Sequence, residues 1–142
     1  MTYKLDFLRG LGAAASEWLA ASPSDPVAVM GDFNVAPLDT DVWDASLFRS
    51  ATHVSPAERA ALGTLEEAGL VEVSRRFIPE PGVYTQWDYR ALRFPRNEGM
   101  RIDFVYCSPG LVERVRGAAI VRNERKGSGA SDHVPVEIDV AT

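Results

Sequence analysis

Residues 27–34 read VAVMGDFN: a short apolar run, a glycine, and at once an acid. Val27–Met30 is β-prone and continuously apolar, the pattern of a buried strand, and Gly31 closes it with a residue free to turn sharply. Asp32 and Asn34 stand two apart, so in extended backbone their side chains point to one side. A carboxylate there can orient and deprotonate water, while a carboxamide can donate to a phosphoryl oxygen or offer oxygen to a metal. The same letters also suit an Asx-turn. Two more stretches set an Asp against an apolar run, MRIDFVY (100–106) and SDHVPVEI (131–138). A carboxylate at a half-buried strand end is unfavourable unless it is paired or binds a cation. Three of them, together with Asn34 and His133, point to a shared site.

Asp103, between Ile102 and Phe104, reads as a mid-strand acid in need of a partner. Either Arg101 neighbours it, or it accepts from an imidazole N–H and fixes that ring's tautomer. His133 is the natural candidate, being one of two histidines, and in protonated form it would stabilise negative charge on a phosphate-like transition state. The other, His53 in THVS, reads as a structural residue of a loop or helix entrance. YTQWDYR (84–90) sets aromatics beside charge, and positions 75–101 hold six arginines against Glu80, Asp88 and Glu98. Aromatics interleaved with arginines hold nucleic acid by guanidinium on phosphate and ring against base or sugar. They serve equally as core anchors of a solvated loop.

Around these stretches, Leu5, Leu8, Leu11, Ala15, Trp18 and Leu19 recur at helical spacing, which predicts an amphipathic helix over 3–21. Ser55-Pro56-Ala57-Glu58 carries the signature of a helix start, with an end at Gly69. Positions 70–77 fit either helix or strand, whereas 84–89, 102–107, 118–122 and 134–140 read as strands and 111–115 as a helical turn. Alternating helices and strands indicate an α/β or layered α+β domain. The 142 residues, 46% hydrophobic and 25% charged, suit one globular domain. A net charge of −5 argues mildly against a non-specific phosphate-gripping protein, although metal-binding carboxylates also count as negative charge. The single cysteine, Cys107, excludes an intrachain disulfide. No apolar run reaches the roughly 18 residues of a membrane span, and Asp6 and Arg9 interrupt any signal-peptide core. A cytoplasmic location is expected, with no membrane partner.

Taken in order, GDFN, THVSPAERAAL, YTQWDYR, GMRIDF and SDHVPV resemble the second half of the exonuclease III family of DNA-repair nucleases, within the wider endonuclease/exonuclease/phosphatase superfamily. The resemblance extends from about Tyr3 to Val140. It implies an α+β fold: half of a four-layer αββα sandwich, with a mixed, mostly antiparallel sheet and flanking helices, so that residues 1–142 form one partial domain. It implies Mg²⁺-dependent (or Mn²⁺-dependent) phosphodiester hydrolysis, 5′ to abasic sites and 3′→5′ from ends of double-stranded DNA. By the same resemblance Asp32 activates the water, Asn34 holds the phosphate or nucleophile, Asp103 pairs with His133, and His133 stabilises the phosphorane-like transition state. Asp132, with Asp32 and Asn34, would serve the metal; Tyr84, Gln86, Trp87 and Arg90 would lie at the DNA, with Trp87 and Gln86 at the abasic-sugar pocket. Gln86 departs from the aromatic that many relatives carry there.

Family members run to about twice this length, and their first half supplies an early Asn, a metal-binding Glu and a Tyr. Half a sandwich uncovers the inner face of a sheet, which invites association. The chain is therefore expected to be a truncated piece of a longer one, to need a complementing N-terminal half, or to form a homodimer, with weak Mg²⁺ binding and little activity alone. The other readings are a metal-dependent phosphoesterase acting on small-molecule or lipid phosphates, and a non-catalytic DNA-binding half-domain.

Overall fold

The computed structural model describes residues 2–49 and 51–142. In chain order the regular elements are α1 (Thr2–Ala21), β1 (Ala28–Asp32), α2 (Ala45–Phe48), α3 (Pro56–Glu67), β2 (Val71–Glu72), α4 (Ser74–Phe77), β3 (Asp103–Cys107), α5 (Pro109–Val112), β4 (Val115–Ile120) and β5 (Val136–Val140). One antiparallel sheet has the order β1-β3-β2; β4 and β5 form a second, antiparallel pair. Helices α1 and α3 cover one face of the first sheet, burying Leu8, Ala15, Leu62, Leu65, Phe33, Phe104 and Tyr106 together. On the opposite face Val105 and Cys107 of β3 meet Val73, Leu111 and Val115, with Ile138 and Val140 of β5 against them. This mixed arrangement of antiparallel sheets and flanking helices agrees with the expected fold class. Among the described residues no helix is long and apolar enough to cross a membrane.

The predicted helix start at Ser55 is present in full. The Ser55 hydroxyl accepts from the Glu58 N–H, Glu58 reaches back to the Ser55 N–H, and Pro56 occupies the first turn. Gly12 lets α1 and α3 approach closely, since a Cβ there would fall 2.7 Å from the Thr64 Cβ. Positions 70–77 turn out to be strand and then helix. The Glu72 carboxylate accepts from the N–H groups of Ser74 and Arg75 and so turns the chain from β2 into α4.

Two expectations are corrected. Residues 84–89 do not form a regular strand: Gln86 alone bridges Met100 on one side and His133 on the other. The Thr85 hydroxyl also accepts from the N–H groups of Ile102 and Asp103, which replaces a backbone ladder at that point. Asp103 is not mid-strand but the first residue of β3, where the sheet opens towards the site.

Candidate active site

Antiparallel register sets Asp32, the last residue of β1, opposite Asp103, the first of β3. Two carboxylates thus meet at one sheet end, although 70 positions separate them in sequence. The segment carrying His133 is fixed by the Gln86 bridge: the Trp87 N–H donates to the Asp132 carbonyl, and the Val134 N–H to the Thr85 carbonyl. This lays the imidazole over the paired acids. His133 Nδ1 lies 2.9 Å from Asp103 Oδ2, and Nε2 lies 3.9 Å from Asp32 Oδ2. Arg101 takes no part, because its buried guanidinium donates to the Ile78 carbonyl and the Ser74 hydroxyl. Of the two partners left open for Asp103, the structure selects the imidazole.

Burial pushes the Asp103 carboxyl above its ordinary value, against the pull of the Thr85 hydroxyl and of His133. Asp103 as acceptor holds the proton on Nδ1, so Nε2 faces Asp32 and the solvent. The arrangement offers a half-exposed carboxylate that can take a proton from water. Across from it stands an imidazole that can carry positive charge or donate to an oxyanion.

Asn34 reaches this site by a different route from extended backbone. Its φ is +53°, and Asp32 accepts both from the Asn34 N–H and from its side-chain amide, each at 2.8 Å. The Asx-turn reading is therefore the correct local geometry, and it aligns the two side chains by direct bonding. Below the turn, Lys4 and His53 Nδ1 both contact the Asn34 carbonyl. Lys4 also pairs with the buried Glu58 at 2.6 Å. Burial pushes the Glu58 carboxyl up, but hydrogen bonds from Lys4, Ser55, Thr52 and the His53 N–H outweigh it and bring it down to about 2. His53 sits in a loop, as its sequence context suggests, yet it stands beside the site. Lys4 and Thr85 carry no functional signal in the sequence; only their contacts in the fold place them beside the site.

The remaining predicted positions divide. Asp132 lies outside the cluster of Asp32, Asp103 and His133, whose ligand atoms fall within 4.8 Å of one another, and instead accepts from Gln86 Nε2 at 3.1 Å. Gln86 thereby holds the acid next to His133 in place. Arg90 is a surface residue paired with Asp88. Trp87 and Tyr84 differ from expectation: both rings are buried, Trp87 to 1% exposure, in a cluster with Val134. The Trp87 indole donates to Asn97 and packs edge-on against Phe94. A covered ring offers no face to DNA, so in this structure these two residues anchor the loop from within. Several nearby arginines are likewise engaged internally: Arg93 with Glu98, Arg75 with Asp41, and Arg101 as above.

The sequence profile of the Endonuclease/Exonuclease/phosphatase family matches residues 9–133. The chain belongs to this family. Among its relatives, the exodeoxyribonuclease of Bacillus subtilis (strain 168) is 35% identical over 127 residues, covering 89% of this chain and 49% of that protein. Exodeoxyribonuclease III of Haemophilus influenzae is 32% identical over 120 residues, covering 80% and 45%. The solved AP endonuclease from Archaeoglobus fulgidus superposes with a TM-score of 0.88 at 28% identity, over 99% of this chain and 55% of that one. The resemblance to the exonuclease III and AP endonuclease branch of the Endonuclease/Exonuclease/phosphatase family is borne out, and the chain spans about half the length of the relatives it matches.

Proposed function

We propose that this chain carries part of a divalent-metal-dependent DNA-repair nuclease site of exonuclease III type, cutting phosphodiesters 5′ to abasic sites and releasing nucleotides 3′→5′ from duplex ends. The observation that supports it is the convergence of Asp32, Asp103 and His133 on one sheet end. Asp32, held by Asn34, accepts the proton of an attacking water. His133 Nε2, kept in orientation by Asp103, donates to the phosphoryl oxygen on which charge develops. The Asn34 amide offers a further donor beside Asp32.

The donor set suits a hard cation only in part. Asp32 is the more open carboxylate, and Asp103 is committed to the imidazole. Mg²⁺ or Mn²⁺ would be held through Asp32, with the Asn34 amide bonded beside it, and would supply Lewis-acid charge at the phosphate. One free carboxylate is at the low end of what Mg²⁺ uses. Full activity is therefore expected when the rest of the family fold is supplied.

The test is Mg²⁺-dependent cleavage of a duplex bearing one abasic site, by the chain alone and with the part of the Bacillus subtilis relative that the match leaves uncovered. Cleavage with the added part, abolished in Asp32→Asn, supports the reading. Hydrolysis of small phosphoesters but not of DNA, or DNA binding without cutting under either condition, overturns it.

A further inference from the structure

Two residues beside the site, neither of them glycine, hold left-handed backbone and are bonded to each other. Asn34 has φ +53° and His53 has φ +84°. This conformation is unfavourable for a residue with a Cβ and persists only where surrounding contacts hold it. At His53 those contacts run in three directions. Its N–H donates to the buried Glu58, and its carbonyl accepts from the Ala36 N–H at 2.8 Å. Its ring Nδ1 lies 2.8 Å from the Asn34 carbonyl, 19 positions away in sequence. A carbonyl only accepts, so Nδ1 carries the proton there. His53 thus brackets residues 34–36 from both ends.

The backbone contacts account for the loop. The ring bond reaches further, because it ends on the residue that holds Asp32. Asn34 gives Asp32 both its N–H and its side-chain amide, each at 2.8 Å. Its carbonyl is the remaining handle, and that carbonyl receives the Lys4 ammonium and His53 Nδ1. Lys4 is a cation on a flexible stem, shared with Glu58, whereas the imidazole is a rigid donor on a short one. The ring also stands in the wall of the site. Asp32 and Asn34 line a cavity of about 450 Å³, and Gln86 and Met100 line another of about 320 Å³. Among the described residues His53 is the one common to both.

We infer that His53 is a positioning residue of the site: its Nδ1–H holds the Asn34 carbonyl and so fixes the turn that sets the Asn34 amide against Asp32. It acts through Asn34 and has no need to touch the reacting atoms. Its effect on cleavage rests on the nuclease reading proposed above; its effect on the turn does not.

Two substitutions separate the ring bond from the backbone. Glycine adopts positive φ without strain, so His53→Gly removes the ring and keeps the backbone contacts of the loop. Asparagine sets its amide nitrogen where Nδ1 stands relative to Cβ and also tolerates positive φ, so His53→Asn keeps the donor. In the full chain, exchange of the Asn34 N–H, which is bonded to Asp32, should quicken about tenfold or more in His53→Gly and stay near wild type in His53→Asn. The amides of Leu62 and Leu65 in α3 should stay equally protected throughout, which controls for loss of fold. Complemented by the uncovered part of the Bacillus subtilis relative, His53→Gly should lower kcat on an abasic-site duplex about tenfold or more while KM changes less than about threefold. His53→Asn should recover most of that loss. The inference is overturned by any of four results: Asn34 exchange unchanged in His53→Gly, α3 opening together with Asn34, His53→Asn behaving as His53→Gly does, or an unchanged kcat once Asn34 is freed. Where the wild type itself does not cut, the nuclease reading fails, and exchange at Asn34 still decides the role of His53.

Discussion

β1 and β3 lie side by side in register, both written in apolar letters, and live in opposite surroundings. Phe104, Val105, Tyr106 and Cys107 of β3 are all buried, with strands on both edges and packed layers on both faces. β1 shares its pairing with β3 but, among the described residues, leaves Met30 and one whole backbone edge open. The letters VAVM and FVYC report the environment a strand is built for; packing alone shows whether the same chain supplies it. The candidate site lies where the two strands meet, one carboxylate from each, so it is half supported by a finished core and half by an unfinished edge.

The largest effects should fall on that junction. Asp32→Asn, on the open strand, and His133→Gln, which removes the imidazole over both strands, should each lower the rate of abasic-site cleavage by about 10²–10⁴-fold in the complemented protein. Single-turnover assays at saturating DNA would measure this, and wild-type rates in either variant would break the proposed division of roles. Next comes packing. Phe104→Ala on β3 should cost about 3–5 kcal/mol in denaturant unfolding, because its ring is 1% exposed between α1, α3 and the sheet.

A third prediction concerns what holds the loop after β1. Glu58 is fully buried and ties Lys4 of α1 to Ser55 and Thr52. Glu58→Gln leaves the Lys4 ammonium without its partner and should cost on the order of 3 kcal/mol. The sign with pH follows from a carboxyl brought down to about 2 from an ordinary 4.5. Its contribution is complete above pH 4.5 and is lost as pH falls through about 2. Wild-type stability should therefore drop more steeply over that window than that of Glu58→Gln, which thermal melts at stepped pH would show. The smallest effect sharpens the contrast of strands: Met30→Ala in the chain alone should change stability by no more than about 0.5 kcal/mol, against the large loss at Phe104. A loss at Met30 approaching that at Phe104 would show that β1 is covered in solution.

Much of this was legible locally. The Ser55 cap and the helix at the amino end follow from spacing, and Asp103's need of a partner from the cost of a lone buried charge; the imidazole was one of two partners left open, and β1 runs through Gly31 to Asp32, mostly exposed where the letters suggest a buried strand. The ring of Trp87 was not legible: an aromatic among arginines looks the same whether it faces DNA or Phe94. The turn at Asn34 was legible only as one of two alternatives; a left-handed residue and two bonds to Asp32 select it over an extended chain. Thr85, whose hydroxyl organises the start of β3, gave no signal because its partners are backbone groups.

By itself the sequence determined the local rules: which runs are apolar, where helices start, where the chain can turn, and which acids cannot be left without partners. These depend on neighbours within a few positions, and letters record them. Tertiary structure alone decided that Asp32 faces Asp103, that His133 lies over both, and that β1 ends at an open edge. Register, burial and the completeness of a sheet depend on segments distant in the chain, and no short stretch carries the free energy that chooses among them.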